Sequence, residues 1–308
     1  MLNGENDVSV MAENADESQQ RLKEIQIILH HSQNYDLKKL QGNISLWENQ
    51  AVQVRLTEDP LFEMTENTEN GELLILSDDS DLCKLCFQRK IPVLGILSTE
   101  ETKDFNILPY VASGLEELEL KFLIGIWQRF QQLPWDIAIT NRCRIRESIE
   151  SDLDSFYEIY RDPSITKYME DLYQDREIEK VHMRDTILSG YRFYGFGVWT
   201  ICLKESNEII GRAGLSMREG YLEPEIGYLI AAPHQNQGYG EEVCRAVLSY
   251  GFEELGFDTI QLLTRPENTI SVKLAIKLGF LYQNTVAVQG MLHDRYILKR
   301  KNMVDIVF

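Results

Sequence analysis

Two closely spaced glycines after an apolar run form the stretch whose residue types and spacing best suit chemistry. The run from Ile226 to Ala232 predicts a buried strand, and Pro233 predicts a turn. Gln235-Asn236-Gln237-Gly238-Tyr239-Gly240 comes next, and residues 242–255 then show helical spacing. Glycines let a backbone turn tightly and approach a ligand closely. Because the first turn of a helix carries free N–H groups and the positive end of the dipole, this stretch predicts a phosphate or other anion site.

Two further groups, in the first half of the chain, have residue types that can bind metal or react. Asp78, Asp79 and Asp81 suit Mg²⁺, but we interpret them as an acidic turn that caps the next helix, with Ser77 or Asp78 as its N-cap. The Cys83-x-x-Cys86 pair has no second Cys/His pair at matching spacing, so it does not predict a zinc site. We expect these cysteines in the core, with a redox pair as the alternative. No metal site is predicted.

The charge of the chain is uneven and excludes one class of partner. Residues 1–140 carry 11 Lys+Arg and 24 Asp+Glu, a net of −13, and residues 141–308 carry 20 and 25, a net of −5, which together give −18. This acidity argues against non-specific nucleic-acid binding. It suits a cationic partner or simply solubility. Five scattered cysteines, short apolar windows and an acidic N-terminus predict a cytoplasmic protein without a membrane segment or signal peptide.

The first half predicts a frayed or disordered start over residues 1–20 and a small, acidic, non-catalytic α/β domain over 21–133. Apolar residues in Leu22–His31 have helical spacing, although Ile25-x-Ile27 also permits a strand. Thr65–Gly71 reads as a loop. The remaining pattern predicts a small parallel sheet, with strands at Leu73–Leu76, Pro92–Leu97 and Tyr110–Val111, and helices at Ser80–Arg89 and Leu115–Gln132, the latter burying Leu115, Leu118, Phe122, Ile126 and Phe130.

Residues 73–120 weakly resemble the closing half of a haloacid-dehalogenase-type domain. The resemblance rests on Ile75-Leu76-Ser77-Asp78-Asp79, on Ile91-Pro92-Val93-Leu94 and on Tyr110-Val111 before Leu115. The upstream nucleophile pattern of that family, Asp-x-Asp-x-Thr/Val, does not occur in residues 1–74. No hydrolase activity is therefore implied.

After a break at Leu133–Asp136 the pattern changes, and residues 139–308 predict an α+β domain. Ser151 and Asp154 predict a capping box for a helix that Pro163 interrupts. The last helix is expected to pack Leu274, Ile276 and Leu278 inward. The expected order is a strand over 137–146, helices at Ser151–Tyr160 and Arg176–Ser189, strands at Gly197–Leu203, Glu208–Leu215, Ile226–Ala232 and Thr259–Thr264, a helix at Asn268–Leu278, and a hairpin of Val286–Gln289 with Asp294–Lys299.

This order and two motifs resemble the GNAT N-acetyltransferases, over about residues 139–300. Gln235-Asn236-Gln237-Gly238-Tyr239-Gly240 is similar to that family's Gln/Arg-x-x-Gly-x-Gly/Ala loop, and Asn268-x-x-Ser271 with Lys277-Leu278-Gly279-Phe280 to its second signature. Glu225-Ile226-Gly227-Tyr228 looks most similar to the RimJ/RimL-like branch, the ribosomal-protein-alanine acetyltransferases. The resemblance implies an α/β protein whose second domain has the GNAT fold, with a mixed, mostly antiparallel sheet.

The resemblance implies acetyl-CoA as co-substrate. Backbone N–H groups of the loop would contact its pyrophosphate, the strand before the loop would pair with its pantetheine arm, and Asn268 would bond near its reactive end. The loop lacks the basic residues that many relatives carry, so Arg245 is a candidate helper. The implied cofactor-binding residues are Leu229, Ile230, Ala231, Gln235, Asn236, Gln237, Gly238, Tyr239, Gly240, Glu241 and Asn268.

The resemblance also places two candidate catalytic residues. Glu225 opens the strand along which the thioester would lie, so it is the candidate base, directly or through a water, and a strand-edge charge is the alternative. Many members carry a tyrosine seven residues after the asparagine as the acid, and Ala275 stands there. Ser271 is the nearest hydroxyl in the motif, with a helix-surface role as its alternative.

The acceptor cleft of the resembled fold is bordered by two segments of this chain. Tyr168, Glu170, Tyr194 and Phe196 are the candidate substrate-binding residues, since aromatic and acidic groups can hold a cation. Core packing of the aromatics is the alternative. His234 is interpreted as a turn residue.

Two functions follow from the sequence. The first is an acetyl-CoA-dependent N-acetyltransferase acting on a protein N-terminus or a small-molecule amine. The second is a catalytically weak acyl-CoA-binding regulatory module coupled to the N-terminal domain. The sequence leaves the acceptor and the oligomeric state open.

Overall fold

The computed structural model describes residues 21–57, 68, 70–97 and 104–303. The expected frayed start and most of the expected loop at Thr65–Gly71 lie outside the described residues. The chain divides into two compact units, one ending at Gln132 and the other beginning at Leu133. Among the described residues, no helix combines the length and the apolarity needed to cross a bilayer.

The first unit contains a five-stranded sheet in which every neighbouring pair is parallel, with strand order β2-β1-β3-β4-β5. The predicted parallel sheet is therefore confirmed. The likeness to haloacid dehalogenases remains a prediction. The elements are β1 (Glu24–Ile28), α1 (Leu37–Glu48), β2 (Gln53–Thr57), β3 (Leu73–Ser77), α2 (Ser80–Gln88), β4 (Val93–Ile96), β5 (Val111–Ala112) and α3 (Leu120–Phe130).

Leu22–His31, for which the pattern allowed a helix or a strand, contains strand β1, so the strand alternative is confirmed. Its five residues are all buried, because a central parallel strand is covered on both faces and so has no strict alternation. The helix expected over 115–132 is shorter, and it buries Leu123 and Trp127 while leaving Phe122 37% exposed.

The acidic turn has a more specific arrangement than predicted. Asp79 is the N-cap of α2, since its carboxylate accepts hydrogen bonds from the N–H groups of Asp81 and Leu82. Asp78 is fully buried and accepts from the N–H groups of His30 (2.8 Å) and His31 (3.2 Å). Neither Ser77 nor Asp78 is the cap. The predicted burial of Cys83 and Cys86 is confirmed.

The second unit contains an eight-stranded sheet in the order β12-β13-β11-β10-β9-β8-β7-β6. The mixed and mostly antiparallel sheet expected for this domain is confirmed. Its strands are β6 (Asp136–Ile139), β7 (Cys143–Arg146), β8 (Val198–Leu203), β9 (Ile209–Ser216), β10 (Glu225–Ile230), β11 (Thr259–Thr264), β12 (Leu281–Val288) and β13 (Met291–Lys299). Its helices are α4 (Leu153–Tyr160), α5 (Pro163–Thr166), α6 (Arg176–Thr186), α7 (Tyr239–Glu253) and α8 (Thr269–Lys277).

Several details of this unit differ from the expectations. The single strand expected over 137–146 is the hairpin β6–β7, because the chain turns after Thr140. The predicted capping box of Ser151 and Asp154 is replaced by Asp152, which accepts from the N–H of Ile149 at 3.0 Å. Residues 187–194 form a π-type helical segment. In α8, Ala275 is buried and Ile276 is 62% exposed, since helical spacing puts them on different faces.

Candidate active site

The site begins where two parallel strands stop pairing. Among the described strand pairs of the second sheet, β10 and β11 form the one parallel pair, and its register joins a single position, Glu225 with Gln261. Beyond it, residues 226–230 of β10 and 262–264 of β11 line one cavity of about 1220 Å³. We call this opening between β10 and β11, with the first turn of α8 beside it, the wedge.

The wedge has room for a ligand next to the strand backbone. A Cβ atom added at Gly227 would meet no atom within 4 Å, and Gly227 lines the cavity. On its other edge β10 is fully paired with β9, from Glu225 to Ile230. An extended ligand in the wedge could therefore lie against β10 where β11 does not.

The glycine loop stands at the end of β10. Asn236 and Gly238 have φ angles of 60° and 86°, in the left-handed region that glycine adopts most readily. Helix α7 begins directly after Gly238, and the first intrahelical bond runs from the N–H of Glu242 to the carbonyl of Gly238 at 3.1 Å. Within the described part of the chain, no acceptor bonds the backbone N–H groups of residues 236–241. These N–H groups can bind an anion.

The two glutamines of the loop shape its backbone. The Gln235 side chain donates to the carbonyl of Ile230 at 2.9 Å, and the Gln237 side chain donates to that of Pro233 at the same distance. Both were predicted to bind the cofactor. In this structure their side-chain amides are engaged with the protein itself, so a contact to a ligand would come from their main chain.

Arg142, which the sequence did not single out, supports the loop from the β6–β7 turn. Its guanidinium donates to the Gln237 carbonyl at 3.0 Å and to Glu242 at 2.7 Å, and it lies 4.1 Å from the ring centroid of Tyr239. The contacts with Gln237 and Glu242 span 95 and 100 residues. Arg142 therefore fixes the loop and the start of α7 together.

The carboxylates at the start of α7 are both compensated by cations. Glu241 is paired with Lys277 and Arg245, and the hydrogen bond from Lys277 is the main reason that its pKa is lowered. Burial alone would raise the pKa of Glu242, but hydrogen bonds from Thr140 and Arg142 outweigh it and lower that pKa. Arg245, the candidate helper for phosphate, is thus engaged with Glu241. An anion approaching the loop meets little uncompensated negative charge.

Glu225 lies at the apex of the wedge and is 9% exposed. Arg218, on the loop before β10, engages both of its carboxylate oxygens: the Arg218 Nε–H donates to Oε2, and the Arg218 Nη2–H donates to Oε1 at 3.1 Å. The nearby Glu170 also acts electrostatically on Arg218. A base role for Glu225 therefore requires Arg218 to share or release one oxygen.

Asn268 and Ser271 meet at the start of α8. The Asn268 side-chain oxygen accepts from the N–H of Ser271 at 3.3 Å, which makes Asn268 the N-cap of α8. Its NH₂ group is not used by this bond and can donate to a ligand. The Ser271 hydroxyl is 3.1 Å from that of Tyr228 on β10. Both residues line the cavity with Asn268.

The structure brings together two of the four predicted substrate residues. Tyr168 and Glu170 line the cavity, and the Tyr168 hydroxyl donates to the carbonyl of Glu267 at 3.2 Å. Tyr194 and Phe196 are not among its lining residues. Phe196 is 8% exposed and packs edge-on against Phe257 in the core. Core packing, the alternative interpretation, fits Phe196.

Besides Arg218, the cations Lys167, Arg212 and Arg265 line the cavity. Arg265 lies after β11 among the lining residues, and its Nε is buried with no hydrogen-bond partner among the described residues. No motif points to Arg265, because a single arginine after a strand has no spacing pattern.

The second unit, which holds this site, is similar to proteins of one known family. Residues 142–281, all in the second unit, match the model of the acetyltransferase (GNAT) domain family. The uncharacterized N-acetyltransferase p20 of Bacillus licheniformis is 31% identical over 175 residues, 53% of this chain and 96% of that protein. The uncharacterized protein YkkB of Bacillus subtilis is 30% identical over 154 residues, 48% and 87%. A solved ribosomal-protein-S5-alanine acetyltransferase from Vibrio fischeri is 14% identical, with a TM-score of 0.47 over 55% of this chain and 98% of that one.

Proposed function

Because the chain belongs to the GNAT acetyltransferases through its second unit, we propose that it transfers an acetyl group from acetyl-CoA to a primary amine. The observation that carries the proposal is the wedge between β10 and β11 with the glycine loop at its outer end. An extended thioester needs such a groove, and a pyrophosphate needs the free N–H groups at the start of α7. Acetyl-CoA is accordingly the proposed co-substrate.

The residues of the wedge take separate roles in this proposal. The N–H groups of residues 236–241 bind the pyrophosphate, and the edge of β10 that β11 does not pair, residues 226–230, pairs with the pantetheine arm. The Asn268 amide donates to that arm. Holding acetyl-CoA and the amine side by side supplies a large part of the rate enhancement. The placement of Asn236, Gly240 and Asn268 along the same cavity as β10 supports these assignments.

Glu225 is the proposed base that accepts the proton of the attacking amine. It stands at the apex of the wedge, where the acetyl group would end if the pyrophosphate lies at the loop. Arg218 neutralises its charge until the acceptor enters. Tyr168 and Glu170 are the proposed acceptor contacts. The acceptor is a protein N-terminus, as in the RimJ/RimL-like branch, or a small-molecule amine.

The test is release of CoA thiol from acetyl-CoA over a panel of N-terminal peptides and small amines. Glu225→Gln is expected to lower kcat while acetyl-CoA affinity stays within about threefold, since a base typically contributes about 10²–10⁴-fold. Arg218→Gln serves as the matched variant, because it leaves the carboxylate without its partner. Unaltered kcat in Glu225→Gln would remove this residue from the role of base.

The pairing of Glu225 with Arg218 favours a second candidate, an acyl-CoA-binding regulatory module with weak catalysis. Both oxygens of the candidate base are engaged, and Ala275 stands where many relatives carry the acid. The same assay separates the candidates. Tight acetyl-CoA binding with no thiol release for any amine, in the wild type and in Arg218→Gln, would decide for the module.

A further inference from the structure

A pair of hydroxyl groups connects the two walls of the wedge. Tyr228 projects from β10 and Ser271 from the first turn of α8, and their oxygens are 3.1 Å apart, with either able to donate. Both line the cavity. On β10, Tyr228 lies between Glu225 at the apex and the glycine loop at the outer end. A thioester whose acyl end is at Glu225 and whose phosphates are at the loop would pass this pair.

The Tyr228 ring is held in place by packing. A Cβ atom at Gly240 would lie 3.6 Å from Cε2 of Tyr228, so the ring stacks under the start of α7. Burial raises the pKa of Tyr228, the neighbouring Cys244 thiol adds to this, and the hydrogen bond with Ser271 opposes it. The phenol therefore stays protonated at neutral pH and keeps its donor.

We propose, on the premise of the proposed function, that the Tyr228 hydroxyl donates a hydrogen bond to the departing sulfur of CoA while the Ser271 hydroxyl donates to the Tyr228 oxygen. Negative charge reaches the sulfur only as the thioester breaks. A donor fixed beside it therefore stabilises the transition state more than the ground state. Two hydroxyls in series also polarise each other and strengthen the terminal bond.

The step balances without a further reactant. The amine nitrogen forms the C–N bond, and its proton passes to Glu225. The C–S bond breaks and its electron pair stays on sulfur, so CoA leaves as a thiolate held by the Tyr228 O–H. The thiolate takes a proton from solvent after release, and Glu225 returns its proton to solvent.

The first test compares variants that remove single hydroxyls. Tyr228→Phe keeps the ring against Gly240 and is expected to lower kcat about 100-fold, the size found for a lost transition-state donor, with the acetyl-CoA Kd within about threefold. Ser271→Ala is expected to cost about fivefold, because it acts through Tyr228. The control is Tyr282→Phe, which removes the hydroxyl bonded to Thr285 on the outer hairpin and is expected to leave kcat unchanged.

A second measurement needs no turnover. The ultraviolet absorbance of the CoA thiolate, followed against pH in the protein–CoA complex, is expected to show a lower thiol pKa in the wild type than in Tyr228→Phe. Equal thiol pKa values, or wild-type kcat in Tyr228→Phe, would overturn the inference. A wild type that binds CoA but acetylates no amine would refute the proposed function alone, since the titration still decides the hydroxyl pair. A wild type that does not bind CoA overturns both.

Discussion

The parallel strands of the two sheets differ in how far they pair and in what bonds the N–H groups that follow them. In the first unit, β1 pairs with both neighbours along all five of its residues, and the carboxylate of Asp78 at the end of β3 bonds the N–H groups that follow β1. In the second unit, the parallel pair β10–β11 meets at one position, and the N–H groups of residues 236–241, in the loop after β10, bond no acceptor among the described residues. The first strand end is closed by the chain itself and the second is open to a ligand.

The difference between the two units shows which residue at a helix start leaves room for a ligand. In the first unit β3 leads into α2, and in the second unit β10 leads through the glycine loop into α7. The first-turn N–H groups of both helices have no partner within the helix. Asp79 supplies a carboxylate to that turn in the first unit, whereas Gly238 supplies no side chain in the second. The residue at the N-cap therefore decides whether the helix start binds its own chain or another molecule. Four substitutions test this contrast.

The largest effect is expected from filling the open strand end. Gly227→Leu adds a side chain where no atom lies within 4 Å, so the fold should persist while the wedge loses its space beside Glu225. We expect kcat/KM for acetyl transfer to fall about 100-fold or more, since small misplacements of reactants have effects of that size. Steady-state kinetics and a thermal melt measure the two consequences. The control is Gly42→Leu in α1, which also has nothing within 4 Å; equal losses in both variants would contradict the expectation.

The closed strand end should respond in stability and not in binding. Asp78→Ala leaves the N–H groups of His30 and His31 without their carboxylate, and we expect a loss of about 2 kcal/mol in the opening free energy of β1 and β3. Native-state hydrogen exchange measures it. Asp81→Ala, which removes an exposed carboxylate from the same turn, should change that free energy by less than about 0.5 kcal/mol. A similar loss in both variants, or a changed CoA affinity in Asp78→Ala, would show that the contrast is misplaced.

A smaller effect is expected from removing the Arg142 side chain, which holds the glycine loop after β10. Arg142→Met removes the hydrogen bond to the Gln237 carbonyl and the pairing with Glu242, so the loop N–H groups lose alignment. We expect acetyl-CoA affinity to weaken about tenfold, measured by calorimetry, because one charged hydrogen bond is worth about 1.5 kcal/mol. Arg144→Met is the control, since Arg144 lies on the same hairpin and pairs with Asp136. Unchanged affinity in Arg142→Met would mean that the loop holds its shape alone.

The smallest effect concerns pH. The lowered pKa of Glu241 means that its ion pairs stabilise the folded state above the unfolded carboxyl pKa, about 4.3, and that this contribution is lost as the pH falls through the folded value. Glu241→Gln should therefore lose less unfolding free energy than the wild type between pH 6 and pH 3, by less than about 1 kcal/mol. Urea unfolding at several pH values measures it. Parallel pH curves for the two proteins would refute the prediction.

The parts of the site that sequence could predict are local in the chain. Gly238, Gly240 and Asn268 sit in short motifs whose spacing reflects one turn of backbone, and the structure places them around the wedge. The contacts of Arg142 and Tyr228 were not predicted, because their partners, Gln237 and Ser271, lie 95 and 43 residues away in the chain. Arg218 escaped for another reason: a charged residue in a loop has no periodic signal, although its partner Glu225 is seven residues on.

The fold shows the same division. The apolar runs predict the parallel sheet of the first unit, but they do not decide between helix and strand for β1, since Leu22, Ile25, Ile28 and Leu29 satisfy both periods when a strand is buried on both faces. Helix α1 and strand β2 were not predicted. Leu40, Ile44 and Trp47, the residues that α1 buries, do have helical spacing, so the pattern could have found this helix. Strand β2 is short and mostly exposed, and only Val54 and Leu56 of its five residues are apolar, so its pattern is weak.

The single pairing of Glu225 with Gln261 also has a mechanical meaning. It is the one register position at which β11 and the hairpin β12–β13 join the other five strands through β10, among the described strand pairs. A ligand lying in the wedge would add hydrogen bonds between the two halves and act as a removable strand. Binding at 100 times Kd would then add about 2.7 kcal/mol to the stability of the second unit. Each cycle of substrate entry and product exit would alternately stiffen and release the sheet around that pivot.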